Sequence, residues 1–183
     1  MSLPEPIVIE RADVRWAEEF REIAGRLRTV LGPVALRIDH VGSTAVPGLD
    51  AKPVIDVQIS VPALDPMEPY RRPLESLGYT YQPENPDRAK RSFRWPAGQR
   101  RTHLYARAAG SFDEQLNLLF RDFLRSRPDA TREYAQEKWR LSEVHRNDRE
   151  GYVRAKEPTV WSLLRRAHAW SQSTGWTPGP SDA

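Results

Sequence analysis

The sequence predicts an α+β fold with one mixed β-sheet and a helical last third, and two observations carry that prediction. Apolar spacing changes along the chain: helical near the start, short β-branched runs bounded by glycine and proline in the middle, and helical again from about residue 112. The 183 residues, 39% hydrophobic and 29% charged, suit one domain with a real core and do not point to two. That domain is expected over residues 1–170. Residues 171–183, rich in Ser, Thr, Gly and Pro, are expected to be disordered.

Residues 13–31 put Trp16, Phe20, Ile23, Ala24, Leu27 and Leu31 on one helical face, with Asp13 as N-cap and Gly32-Pro33 as the stop. "VALRIDHV" (34–41) and "PVIDVQISV" (53–61) read as strands. A short helix is expected at about 67–77, closed by Gly78. "YTYQ", "KRSFRW" and "RTHLYARA" are three further strands, the last two a hairpin through Pro96-Ala97-Gly98. From Phe112, Leu116, Leu119, Phe120, Phe123 and Leu124 fall on one helical face. Two more helices follow at about 129–144 and 149–170, parted at "HRND".

The chain has no cysteine, which excludes disulfides, thiolate zinc and cysteine nucleophiles, so any metal must rest on oxygen or imidazole. The start, "MSLPEPIVIERAD", has no basic region followed by an apolar core, and no run approaches the roughly 18 apolar residues of a membrane span. A cytoplasmic enzyme or binding protein with no membrane partner is the expectation. Net charge is only +3, yet residues 88–107 hold seven Arg or Lys and no acid. That window suits an anion, or else a solvated hairpin.

Strand alternation sorts the chemistry. Ile55, Val57 and Ile59 share one face of their strand, and Asp56 and Gln58 the other. A mid-strand aspartate needs a salt bridge, hydrogen bonds or a cation. In the "RRTHLYAR" strand Arg101, His103, Tyr105 and Arg107 form a polar face. If the two strands are neighbours, Asp56, Gln58, His103, Tyr105 and Arg101 converge. The loop "GSTAVPG" offers backbone N–H groups and the hydroxyls of Ser43 and Thr44 to a phosphate, although it is not a Walker A loop. Ser43 as an acyl-transfer nucleophile is the weaker idea, since no G-x-S-x-G elbow surrounds it.

"IDHVGSTAVPGLDAKPVIDV" resembles the signature of the bacterial GrpB family, and the likeness continues through "RRTHLY", "FRDFLRSRPDATREYAQEKWRL" and "NDREGYVRAKEPTV", about residues 10–170. GrpB proteins are similar to the polymerase-β-like nucleotidyltransferases. The resemblance implies a small mixed sheet of nucleotidyltransferase type, packed with helices and followed by a helical segment. It also implies transfer of a nucleoside monophosphate from a nucleoside triphosphate, with Mg²⁺, to an unknown acceptor. It assigns Gly42, Ser43 and Thr44 to the triphosphate, with Lys52 and Arg101 as anion groups, Asp56 and Gln58 as metal ligands, and Asp56, His103 and Asp39 as catalytic. Lys52 reads equally as a surface lysine.

The chain also departs from the pattern: Gln58 stands where a second metal carboxylate is expected, and His103 in the region of the third. Either one Mg²⁺ suffices, with Asp39 or His103 helping as ligand or base, or nucleotide is bound without transfer. In a non-catalytic module, Arg91, Arg94, Arg100 and Arg101 would hold the anion. Nucleic-acid binding, with Phe93 and Trp95 as stacking groups, is least favoured at this net charge. Tyr134, Lys138 and Lys156 are expected either to face the cleft or to lie on helix surface.

Overall fold

The computed structural model describes residues 6–183; the first five residues of the expected domain lie outside it. The elements run α1 (Arg15–Leu31), β1 (Arg37–Val41), β2 (Ile55–Val61), α2 (Glu68–Ser76), β3 (Thr80–Tyr81), β4 (Arg91–Arg94), β5 (Thr102–Ala108), α3 (Phe112–Ser126), α4 (Pro128–Val144) and α5 (Arg149–Thr174). Each was expected from the sequence, with bounds shifted by a few residues. Asp13 does not cap α1 from the N-cap position, which is Val14; its carboxylate accepts instead from the Arg15 N–H.

The strands form one sheet in the order β1-β2-β5-β4-β3. β1 and β2 are antiparallel, β2 and β5 parallel, and β5–β4 and β4–β3 antiparallel, so the sheet is mixed. The apolar face (Ile38, Ile55, Val57, Ile59, Leu104, Ala106 and Phe93) packs with Trp16, Phe20, Ile23 and Leu27 of α1 and Tyr70 and Leu74 of α2 into the main core. A second cluster joins Leu49 and Val46 of the β1–β2 loop to Phe123 and Leu124 of α3, Tyr134 of α4 and Leu163 of α5. The C-terminal helices are thereby docked beside the loop expected to hold phosphate.

α3 covers the opposite, polar face of the sheet over part of β2: Ser60 Oγ is hydrogen-bonded to Glu114, and the Gln58 amide donates to the Glu114 carbonyl at 3.3 Å. The Asp56 end of β2 is left open. The N-cap of α5 is Asp148, whose carboxylate accepts from the Gly151 N–H at 2.8 Å. Asp148→Ala is expected to cost about 1 kcal/mol, the usual worth of such a cap, read as a lower urea midpoint at unchanged slope.

The last residues, expected to be disordered, lie along the edge strand β1. Ser181 Oγ accepts from the Ile38 N–H at 2.8 Å, Asp182 accepts from the His40 N–H at 2.9 Å, and the Ala183 N–H donates to the Ile38 carbonyl at 3.1 Å. Short polar side chains here pair with the backbone groups of an open sheet edge, which composition alone does not reveal. No helix among the described residues is long and apolar enough to cross a membrane.

Candidate functional site

The parallel β2–β5 register sets Asp56 directly beside His103, and their side chains meet: His103 Nδ1 lies 2.8 Å from Asp56 Oδ1. The other oxygen of Asp56 faces the end of β1. There Gly42 turns the chain at φ 71 and ψ −170, and a Cβ on it would stand 2.4 Å from Asp56 Oδ2. Only glycine adopts that conformation readily, and only a residue without a side chain leaves room for the carboxylate. Ser43 opens a 3₁₀ turn (Ser43–Ala45) and lines the same cleft as Tyr134.

These residues form one wall of a cleft of about 260 Å³. Lysines line the other walls, and they come from three segments: Lys52 from the loop before β2, Lys138 from α4 and Lys156 from α5. Lys52 Nζ stands 5.2 Å and Lys156 Nζ 5.1 Å from the centre of the Tyr152 ring, and Lys138 Nζ stands 4.7 Å from that of Tyr134. Lys138 is 2% exposed, and its ammonium has no hydrogen-bond partner. Burial, and then the charge of Lys156, pull its pKa down to about 7. Burial followed by Lys156 and Arg149 brings Lys52 to about 8, and burial lowers Lys156 as well. Tyr134, Lys138 and Lys156 therefore face the cleft.

Other expected site residues are engaged elsewhere. Gln58 is fully buried beneath α3, its Oε1 accepting from Asn117 at 2.8 Å, and it does not line the cleft. Asp39 is also fully buried; Arg37 donates to both its oxygens at 2.9 Å, and Arg121 approaches at 3.5 Å. It serves an ion-pair cluster, away from the cleft. Thr44 lines the cleft, but its hydroxyl donates to the Val54 carbonyl at 3.0 Å, so His40 Nε2, also at 3.0 Å, must be the donor to Thr44. That tautomer suits a neutral imidazole, and burial with Arg125 and Arg121 nearby lowers the His40 pKa to about 3.

A second concavity of about 860 Å³ adjoins the first across Asp56, His103 and Tyr105, over the polar face of β4 and β5. Arg94, Trp95, Arg101 and Asn85 line it, with the Arg101 guanidinium 5.4 Å from the Trp95 ring centre. Phe93 has its side chain in the main core and is no stacking group. Arg91 and Arg100 are held in ion pairs with Asp65 at 2.7 Å and Glu19 at 3.0 Å.

Magnesium, which the resemblance implies, takes oxygen ligands in octahedral geometry, with carboxylates supplied by the protein. The cleft lining holds one carboxylate, Asp56, already hydrogen-bonded to His103. Among the described residues no group of three or more His, Cys, Asp or Glu side chains is placed to hold a metal ion. The donor set does not fit the paired-metal site of the resemblance.

The mixed sheet, with its open strand ends facing a cleft, defines a protein of nucleotidyltransferase-like fold. The structure of Cid1 in complex with its short product ApU superposes at TM-score 0.50 and 12% identity, over 72% of this chain and 42% of that one, a likeness of fold alone. The chain belongs to the GrpB family, whose model (GrpB protein) matches residues 6–166. The crystal structure of conserved protein GrpB from Enterococcus faecalis superposes at TM-score 0.80 and 27% identity, over 89% of this chain and 99% of that one. A UPF0157 protein of Pseudomonas aeruginosa is 42% identical over 86% of this chain and 66% of its own length. A dephospho-CoA kinase of Mycolicibacterium paratuberculosis is 35% identical over 94% of this chain, which spans 49% of that protein.

Proposed function

We propose that this chain is a cytoplasmic nucleotide-binding protein whose cleft holds the phosphates of a nucleoside triphosphate. The observation that carries the reading is Lys138, a buried ammonium without a hydrogen-bond partner, facing a cleft it shares with Lys52 and Lys156. An unpaired buried charge is costly, and it persists where a ligand completes it. The Gly42-Ser43 turn lines the same cleft, and glycine turns of this kind suit phosphate through their backbone N–H groups. At about 260 Å³ the cleft is small beside the ~300–1,000 Å³ of typical ligand pockets, so it suits phosphates rather than a whole nucleotide. The nucleoside then runs past His103 into the wider groove, where Trp95, Tyr105 and Asn85 offer rings and an amide to a base.

Transfer of the nucleotide to an acceptor is the finer reading, and it rests on the Asp56–His103 pair. With Asp56 accepting from Nδ1–H, His103 Nε2 is left with a lone pair able to take a hydroxyl proton. Binding without transfer is favoured by another observation: Gln58 and Asp39, which the family pattern makes a metal ligand and a catalytic group, are committed to Asn117 and Arg37. Calorimetric titration with each common nucleoside triphosphate tests the binding itself. Wild-type protein is expected to bind, and Lys52→Ala to bind about tenfold more weakly through loss of one charge-assisted contact. No heat at millimolar nucleotide from the wild type would reject the reading. Pyrophosphate release that Asp56→Asn abolishes would decide for transfer.

A further inference from the structure

We propose that the cleft takes a triphosphate group free of divalent cation, with Lys52, Lys138 and Lys156 supplying the positive charge that magnesium supplies in a carboxylate-lined site. The inference rests on the phosphate reading above and narrows it to a ligand class.

Charge decides between the two kinds of site. A carboxylate-lined cleft is negative until a cation enters, and the metal then bridges protein and phosphate oxygens. Here three ammonium groups oppose the single carboxylate Asp56, and His103 already engages that carboxylate. A divalent cation arriving with the phosphates meets like charge, whereas a bare polyanion meets opposite charge on three sides. Hydrogen bonding points the same way. An ammonium only donates, so the unpartnered Lys138 Nζ needs acceptor oxygens, which a phosphate provides and a cation does not. The competing oxygens are also unavailable, since Arg37 holds both oxygens of Asp39 and Asn117 donates to Gln58 Oε1. Placement agrees, because the lysines stand on a loop and two separate helices, fixed by their packing around Tyr134 and Tyr152 rather than strung along one surface.

The test is titration of the intact chain with inorganic tripolyphosphate, followed by calorimetry, once in EDTA and once with millimolar magnesium in excess. Binding is expected in EDTA, several-fold weaker in magnesium because the cation neutralises the ligand, and about tenfold or more weaker for Lys138→Met in EDTA. Binding that appears only with magnesium overturns the inference and leaves the phosphate reading standing. EDTA binding unchanged in Lys138→Met also overturns it, because the buried lysine is then not among the contacts. Failure of both tripolyphosphate and ATP to bind under either condition removes the phosphate reading itself.

Discussion

Lys138→Met is expected to stabilise the protein by on the order of 2–4 kcal/mol at pH 7 while weakening its hold on polyphosphate. The side chain is 2% exposed, its ammonium has no hydrogen-bond partner, and burial together with Lys156 lowers its pKa to about 7. In the unfolded chain a lysine titrates near 10.4, roughly three units higher. Folding therefore opposes the protonated form. That cost is fully present below about pH 7, and it shrinks as pH rises toward 10, where the unfolded chain also loses the proton. Methionine keeps most of the volume and removes the charge. The difference in unfolding free energy between variant and wild type, from urea melts at pH 7 and pH 10, should be large at the first and small at the second. A variant no more stable than wild type at pH 7 would mean that the ammonium is solvated. Among the charges around it, Lys156 and Lys52 push the Lys138 pKa down while Asp50 and Asp56 pull it up, and burial outweighs them all. Affinity for tripolyphosphate should fall from pH 7 to 9 as Lys138 and Lys52, at about 7 and 8, lose their protons, with proton uptake on binding detectable as a buffer-dependent heat.

Gly42→Ala is expected to cost ~3 kcal/mol, combining the strain of a glycine-only conformation with a steric clash. At φ 71 and ψ −170 the new Cβ would stand 2.4 Å from Asp56 Oδ2, so the turn or the carboxylate must move. Movement of the carboxylate breaks its 2.8 Å bond to His103, and the histidine resonance should shift in NMR spectra along with the fall in stability. Gly48→Ala is the control: Gly48 also has positive φ, 78, but open space where the Cβ would go. It should cost about 1 kcal/mol and leave His103 unchanged. Equal losses at the two positions would show that backbone strain alone matters and that Gly42 does not shape the site.

The Asp56–His103 pair was legible in the sequence because a period of two puts Ile55, Val57 and Ile59 on one face and Asp56 on the other, and the same alternation isolates His103. Their contact followed once β2 and β5 proved to be parallel neighbours. Alternation failed at Gln58. It names a face but not what covers the face, and α3, distant in sequence, roofs Gln58 while stopping short of Asp56. Asp39 was misplaced for a related reason: strand alternation sets Arg37 beside it, but Arg121 of α3 reaches it through packing that no local pattern records.

By itself the sequence determined the elements and their order, the side of each strand that enters the core, the glycine turn at Gly42-Ser43 and the family. These depend on local periodicity and on turn chemistry, which act over a few residues. Tertiary structure alone decided the charge of the cleft. Lys52, Lys138 and Lys156 are scattered along a sequence with 28 basic residues, which leaves each of them open between a cleft group and a surface lysine. They line one cleft only when α4 and α5 pack against the β1–β2 loop, for burial and mutual repulsion are properties of distance in space, not along the chain.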